Sequence, residues 1–364
     1  GRVQDPQAIR PFLDRCLDCR ACETACPSGV RYGEVLETTR AELERQQPKK
    51  GVAGWLVRFL LWHVVARQGR LRIAFALLRT AEVLGLRWLG TRLGLVPKAM
   101  AAIAPPVPPA AERRPLPTGL HTPPPGVVRR GVRVALFTGC VMEPVFGRVN
   151  RATLEVLLQN GFDVDVPAAQ RCCGALLVHA GMPDQARELA RPHVAAFADA
   201  DVVVNNSAGC GCAMKEYGHL LGDEGGATFA RKCRDVSEFL AQHGLSATPR
   251  ELRAKAAYDD PCHLCHGQGV RSQPRQLLAQ VPGLELVAHE KPEDCCGSAG
   301  IYNLLQPELA DEIGRRKVES LARAGVDLVV TGNPGCMLQI DSHLRRAGHK
   351  AQVRHPIELL LPPR

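Results

Sequence analysis

The sequence predicts an α/β protein: an N-terminal α-helical cluster-binding module followed by two duplicated α/β domains. Three observations carry that expectation. Four cysteines crowd between positions 16 and 26, a set of cysteines recurs in register later in the chain, and short apolar runs of strand length alternate with helix-period segments. The chain has 364 residues, 45% of them hydrophobic, enough to bury the cores of two or three domains. Aromatics make up only 4%, so Leu, Val and Ala must build those cores. Charged residues at 23%, with no long polar tract, argue against disorder and against fibrous classes.

Fifteen cysteines is an odd and unusually high count. Their dense local spacing fits metal ligation in a reducing compartment better than a secreted disulfide framework, so a cytoplasmic protein is expected. No run of about 18 apolar residues occurs, and a membrane-spanning helix is not expected.

The first module is expected over residues 1–45. Cys16, Cys19, Cys22 and Cys26, followed by Pro27, spell C-x2-C-x2-C-x3-C-P, the ligand run of a bacterial ferredoxin-type [4Fe-4S] cluster. Thiolates three residues apart on a tight loop can converge on three corners of one cube, with backbone amides free to donate to the sulfurs. The fourth cysteine of such a run ligates the other cluster of a two-cluster protein, because the proline turns the chain away. A zinc knuckle is the alternative, but structural zinc usually takes two separated cysteine pairs. The chain begins at Gly1 and only fifteen residues precede the motif, so a clipped N-terminus is expected.

Residues 46–104 form a basic, apolar, helical segment. Positions 51 to 100 hold seven Arg and Lys98 against a single acid, Glu82, among side chains such as Trp55, Leu56, Phe59, Leu60 and Trp62. Such a stretch reads as a membrane-surface or partner-docking element, or as an Arg-rich helical pair packed on its own domain. A peripheral site on the inner face of the cytoplasmic membrane follows from the first reading, with no nucleic acid as partner. A proline-dense linker follows over 105–128, nine prolines falling between Pro105 and Pro125, where missing backbone donors favour an extended, semi-rigid spacer.

The two repeats, expected over 129–248 and 249–364, run in parallel. Val132 to Phe137 leads to Cys140 and Ala256-Ala257-Tyr258 leads to Cys262. Arg171-Cys172-Cys173-Gly174 is matched by Asp294-Cys295-Cys296-Gly297, and the run from Asp201 to Cys210 by that from Asp327 to Cys336. The offsets are 122, 123 and 126 residues, so the register survives the whole unit. Helix-period segments at Val149 to Leu158, Asp184 to Phe197 and Pro307 to Ala324 alternate with the strands. Each cysteine is expected at the end of a strand or in the following loop, where open α/β sheets place ligands, and the half-sites are expected to face each other across a pseudo-twofold axis. Four thiolates from three loops, Cys140, Cys172, Cys173 and Cys210 in one repeat and Cys262, Cys295, Cys296 and Cys336 in the other, can close an iron-sulfur or zinc site. Adjacent cysteines cannot easily bind one iron, so Cys172-Cys173 suits a polynuclear cluster. Buried structural cysteines are the alternative.

Cys212, Cys233 and Cys265 remain. Cys262-His263-Leu264-Cys265-His266 matches the c-type haem attachment run, but Cys262 is already the register partner of Cys140, and haem is not expected. His179, His219 and His263 lie near cysteines in the sequence, though no motif points to them. No dinucleotide fingerprint, phosphate loop, nucleophile elbow or zinc-protease helix occurs. The chain reads as an electron conduit with no catalytic residue of its own.

Leu13 to Val30, Ser207-Ala208-Gly209-Cys210-Gly211 with Lys215-Glu216-Tyr217-Gly218, and Cys295-Cys296-Gly297-Ser298-Ala299-Gly300-Ile301-Tyr302-Asn303 resemble the glycolate oxidase iron-sulfur subunit family. The wider group, the cysteine-rich (CCG) domain family, also includes heterodisulfide reductase subunits, lactate-utilisation proteins and the small subunit of anaerobic glycerol-3-phosphate dehydrogenase. The resemblance implies an electron-transfer subunit of a flavin-dependent 2-hydroxyacid oxidase. It would carry [4Fe-4S] and further clusters, take electrons from FAD-binding partner subunits and pass them to quinone or another membrane acceptor. A heterodisulfide reductase-like thiol-disulfide reductase, or the iron-sulfur subunit of a lactate or glycerol-3-phosphate dehydrogenase, is the alternative. Family members carry two ferredoxin-type runs, of which Cys16 to Cys26 match the second. Heterodisulfide reductase repeats end in C-x-x-C, whereas Ala213 and Gln339 hold the last position here.

Overall fold

A computed structural model describes residues 6–49, 51–94 and 107–363. Val134–Phe137 is a continuous apolar run buried on both sides, the pattern of a central parallel strand. This strand, β2 (Arg133–Phe137), pairs in parallel with β3 (Asp163–Val166) and β4 (Val202–Asn205), and β5 (Cys233–Asp235) extends the sheet beyond β4. The second repeat builds the same order: β6 (Ala254–Tyr258) lies between β7 (Leu284–Leu286) and β8 (Leu328–Val330), with β9 (Gln352–Arg354) outside β8. Mixed α/β architecture with two duplicated parallel sheets therefore stands as expected.

Apolar side chains spaced three and four apart drive the helices. In Met142–Gln159 the buried positions include Met142, Val145, Phe146, Val149, Ala152, Val156 and Leu157, a stripe along one face. Helices Pro183–Ala196 and Pro307–Arg323 cover the segments where the period predicts them. One continuous buried cluster runs through both halves, from Val134, Leu136 and Val204 to Ala256, Val330 and Ile340.

The two halves meet at corresponding positions. The Ala208 amide donates to the Gly332 carbonyl at 3.1 Å, and the Gly209 amide to Asn333 Oδ1 at 3.1 Å. These loops follow β4 and β8, so equivalent segments of the two repeats do face one another.

Part of the proline-rich stretch joins a sheet. Within it Gly119–His121 forms β1, which adds antiparallel to the edge of β3, with Gly119 opposite Val166. Prolines on either side leave this short run free to use its donors. Pro105 and Pro106 lie outside the described residues.

In the N-terminal part, helix Tyr32–Gln46 turns Leu36 and Leu43 inward, two turns apart on one face. Helices Val52–Leu60, Gln68–Val83 and Leu86–Arg92 follow. Leu61, Ala66 and Leu71 are buried in one cluster with Cys140, Cys172, Leu177 and Leu189, so this segment covers the first repeat's cysteines.

Candidate iron-sulfur sites

All eight repeat cysteines lie at the carboxyl ends of strands. Cys140 follows β2, Cys172 and Cys173 follow β3, and Cys210 opens the helix after β4; Cys262, Cys295, Cys296 and Cys336 repeat that placement after β6, β7 and β8. In the first set the thiol contacts run from Cys140 to Cys172, from Cys172 to Cys173 and from Cys173 to Cys210. In the second they run from Cys262 to Cys295, Cys295 to Cys296 and Cys296 to Cys336. Two topologically identical four-sulfur sites result.

Both sets group donor atoms that could hold a cation. The thiols of Cys140, Cys173 and Cys262 are pushed well above the ordinary range, first by the hydrogen bond each makes to a neighbouring sulfur and then by burial. Thiolates brought this close repel one another, and positive charge placed among them would let a set ionise together. Amide donors, one from the backbone and one from a side chain, are already aimed: the Gly297 amide points at Cys295 Sγ at 3.4 Å, and the Asn333 side-chain amide at Cys336 Sγ at 3.4 Å. Such donors stabilise coordinated thiolates.

The glycine of each Cys-Cys-Gly has a geometric reason. Gly174 and Gly297 are left-handed, with φ of 85° and 88°. A Cβ on Gly297 would come within 2.7 Å of the Ala310 carbonyl, and one on Gly174 within 3.1 Å of the Ala186 methyl.

The N-terminal loop gathers three of its four cysteines. Cys16, Cys19 and Cys22 are close enough to act on one another's charge, and the Tyr32 hydroxyl hydrogen-bonds with Cys16. Asp18 and Arg20, flanking Cys19, are both left-handed without being glycine, at φ of 54° and 62°, and this tight path brings the sulfurs round. The Arg40 guanidinium clamps the loop by donating to the carbonyls of Leu13 at 2.7 Å and Cys16 at 2.8 Å. Cys26 caps the end of the short helix Ala21–Ala25. The amides of Val30 and Ser28 hold its thiol below the usual range, as a nest prepared for a thiolate.

The loop sits on the second repeat. Cys19 lies near enough to Cys262 to shift its thiol, and Tyr302, between Cys16 and Cys295, donates its hydroxyl to the Arg15 carbonyl at 3.1 Å. Arg20, 5% exposed, pairs with Glu216 of the first repeat and with Glu37 at 3.3 Å.

The chain matches the family model described as "Cysteine-rich domain" over residues 134–215 and 256–341. It is 35% identical to the "Probable glycolate oxidase iron-sulfur subunit" of Bacillus subtilis, over 99% of this chain and 84% of that one. With the "Glycolate oxidase iron-sulfur subunit" of Escherichia coli it shares 32% identity over 96% of this chain and 81% of the other. The chain belongs to the glycolate oxidase iron-sulfur subunit family. A fumarate reductase (CoM/CoB) component of Methanothermobacter marburgensis is 36% identical over 63% of this chain and 46% of its own length.

In this family member two further features escape a reading by motif. Cys212, Cys233 and Cys265 are buried, and burial pushes Cys233 and Cys265 up to about 12, which fits inert core thiols. Asp18, His179 and His263 come together between the thiol sets. Burial acts to raise the Asp18 carboxyl, but contact with His179 holds it well below the usual range. Position along the chain gives no signal for this grouping, because its members come from three separate segments.

Proposed function

We propose that the chain is the electron-transfer subunit of a flavin-dependent glycolate (2-hydroxyacid) oxidase complex. It receives electrons from FAD-binding partner subunits and passes them to a membrane acceptor such as quinone. The observation that carries this reading is the seating of Cys19 beside Cys262, which joins the N-terminal thiol loop to the second repeat's site. Cys16, Cys19 and Cys22 would hold a [4Fe-4S] cluster, Cys26 would reach toward another, and each four-sulfur repeat site would hold a polynuclear centre.

Bound clusters supply one-electron chemistry. The chain's own residues position and insulate it: Arg40 and the left-handed pair Asp18 and Arg20 fix the loop, while Leu61 and Leu71 keep water from Cys140 and Cys172. Among the described residues no helix is long and apolar enough to cross a membrane. Contact with a membrane acceptor therefore falls to the exposed apolar faces of Val52–Leu60, Gln68–Val83 and Leu86–Arg92, where Trp55, Phe59, Ile73, Leu77 and Trp88 face solvent.

Anaerobic purification with iron and sulfide analysis, followed by reduction and paramagnetic resonance, tests the reading. Acid-labile sulfide, a cluster signal, and no oxidation of glycolate or reduction of a disulfide by the chain alone are expected. A colourless, iron-free chain overturns it, and so does disulfide reduction from an artificial donor without any flavoprotein.

A further inference from the structure

One cluster of ligand-type side chains outside the thiol sets is buried where three parts of the chain meet. Asp18 comes from the N-terminal loop, His179 ends helix Ala175–His179 of the first repeat, and His263 belongs to the turn Cys262–Cys265 of the second. A carboxylate oxygen of Asp18 and one ring nitrogen from each histidine all lie within 4.8 Å of one another. The two imidazoles have ring centroids 5.4 Å apart. Glu37 Oε1 stands 3.5 Å from His179 Nδ1, so a second carboxylate is in reach.

An ion pair between Asp18 and a protonated His179 is the simpler reading, and it leaves too much unexplained. Asp18 Oδ2 is 3.0 Å from His179 Nδ1, yet the contact lacks the angles of a hydrogen bond. Both carboxylate oxygens of Asp18 and Nε2 of His263 are buried without a hydrogen-bond partner among the described residues. Asp18 is 4% exposed and His263 is 9% exposed. Arg20 Nε is 3.7 Å from Asp18 Oδ1, and its guanidinium is engaged by Glu37 and Glu216. A buried polar atom left unmatched is costly, and three such atoms belong to residues grouped at this site.

We propose that Asp18, His179 and His263 form a mononuclear site for a borderline divalent cation, zinc or iron(II), with Glu37 as a fourth donor. Two imidazoles with one or two carboxylates suit these ions, whereas magnesium or calcium would call for oxygen alone. Asp18, His179 and His263 line one wall of a cavity of about 290 Å³ that Leu17, Ile301 and Tyr302 also line. Its place in the chain sets its role. Asp18 precedes Cys19 and His263 follows Cys262, so an ion shared by these neighbours ties the N-terminal loop to both repeats and fixes the separation of the two thiols.

The test uses the full, untagged chain prepared anaerobically and titrated with zinc chloride. One zinc per chain is expected, with an X-ray absorption spectrum showing only nitrogen and oxygen neighbours at about 2.0–2.1 Å. His179→Gln and His263→Gln should each weaken that zinc by tenfold or more while iron and acid-labile sulfide stay at the parent level. If His263→Gln disturbs folding, His179→Gln carries the comparison. Zinc surrounded by sulfur, or affinity unchanged in His179→Gln, overturns the proposal. Iron and sulfide are counted in the same samples, so failure of the cluster reading registers separately from failure of this site.

Discussion

His355 shows how one side chain can tie two repeats together. It is 1% exposed, its Nδ1 accepts from the Ile357 amide at 3.2 Å, and its Nε2 therefore carries the proton donated to the Asn206 carbonyl at 3.0 Å. Burial lowers its pKa from 6.5 to about 4. The folded chain thus binds this proton less readily than the unfolded chain. The stability His355 contributes is fully present above about pH 6.5 and is lost as pH falls toward 4, reaching about 3 kcal/mol at the limit. Denaturant midpoints measured across that window should drop for the parent and drop less steeply for His355→Gln, whose amide does not titrate. Ile357 is two residues on in the chain, but the Asn206 partner was not legible from sequence neighbours, since it lies in the other repeat. The cysteines were different. A thiol spacing of three or one is a local property, and the sets Cys16, Cys19, Cys22 and Cys172, Cys173 could be read directly from the chain.

At the scale of elements, the repeat is a strand, a loop bearing sulfur and a helix, used three times in each half. Apolar runs at Val134–Phe137 and Leu328–Val330 specify buried parallel strands because both faces are covered. The left-handed glycine after each cysteine pair lets the following helix close against the loop. Gly297→Ala puts a methyl 2.7 Å from the Ala310 carbonyl at a backbone conformation alanine resists. It should cost about 1–3 kcal/mol and release iron from the second site, read by thermal melting alongside iron analysis. The strand β1 shows the limit of local reading: Gly119–His121 sits among prolines, and its pairing with β3 depends on an edge supplied by distant residues.

At the scale of the whole molecule, three arginines of the basic segment pair with acids of other segments. Arg58 pairs with Glu44 at 3.2 Å, Arg67 with Glu188 at 3.4 Å and Arg72 with Glu143 at 2.7 Å. Arg92 stacks over Trp88, and Lys98 lies outside the described residues. Charge that reads as basic along the chain is thus largely matched in space, and what these helices offer outward is apolar: Trp55 is 56% exposed and Trp88 64%. Membrane association should therefore follow the apolar side chains. In a vesicle flotation assay with anionic lipid, Trp55→Glu combined with Trp88→Glu should abolish binding, while raising salt to about 0.5 M should weaken it only modestly, since screening acts on charge and not on apolar contact. Binding that vanishes in salt but survives both substitutions would assign the contact to arginine instead.

The sequence by itself determined the sulfur loops, the doubled α/β repeat and its helices, because spacing and periodicity are written between near neighbours. Tertiary structure alone decided that the N-terminal loop rests on the second repeat, that arginines of the basic segment find acids of other segments, and that Asp18 meets His179 and His263. Each of these depends on surfaces from separated segments closing on one another, and burial, which sets their energies, exists only once they have closed.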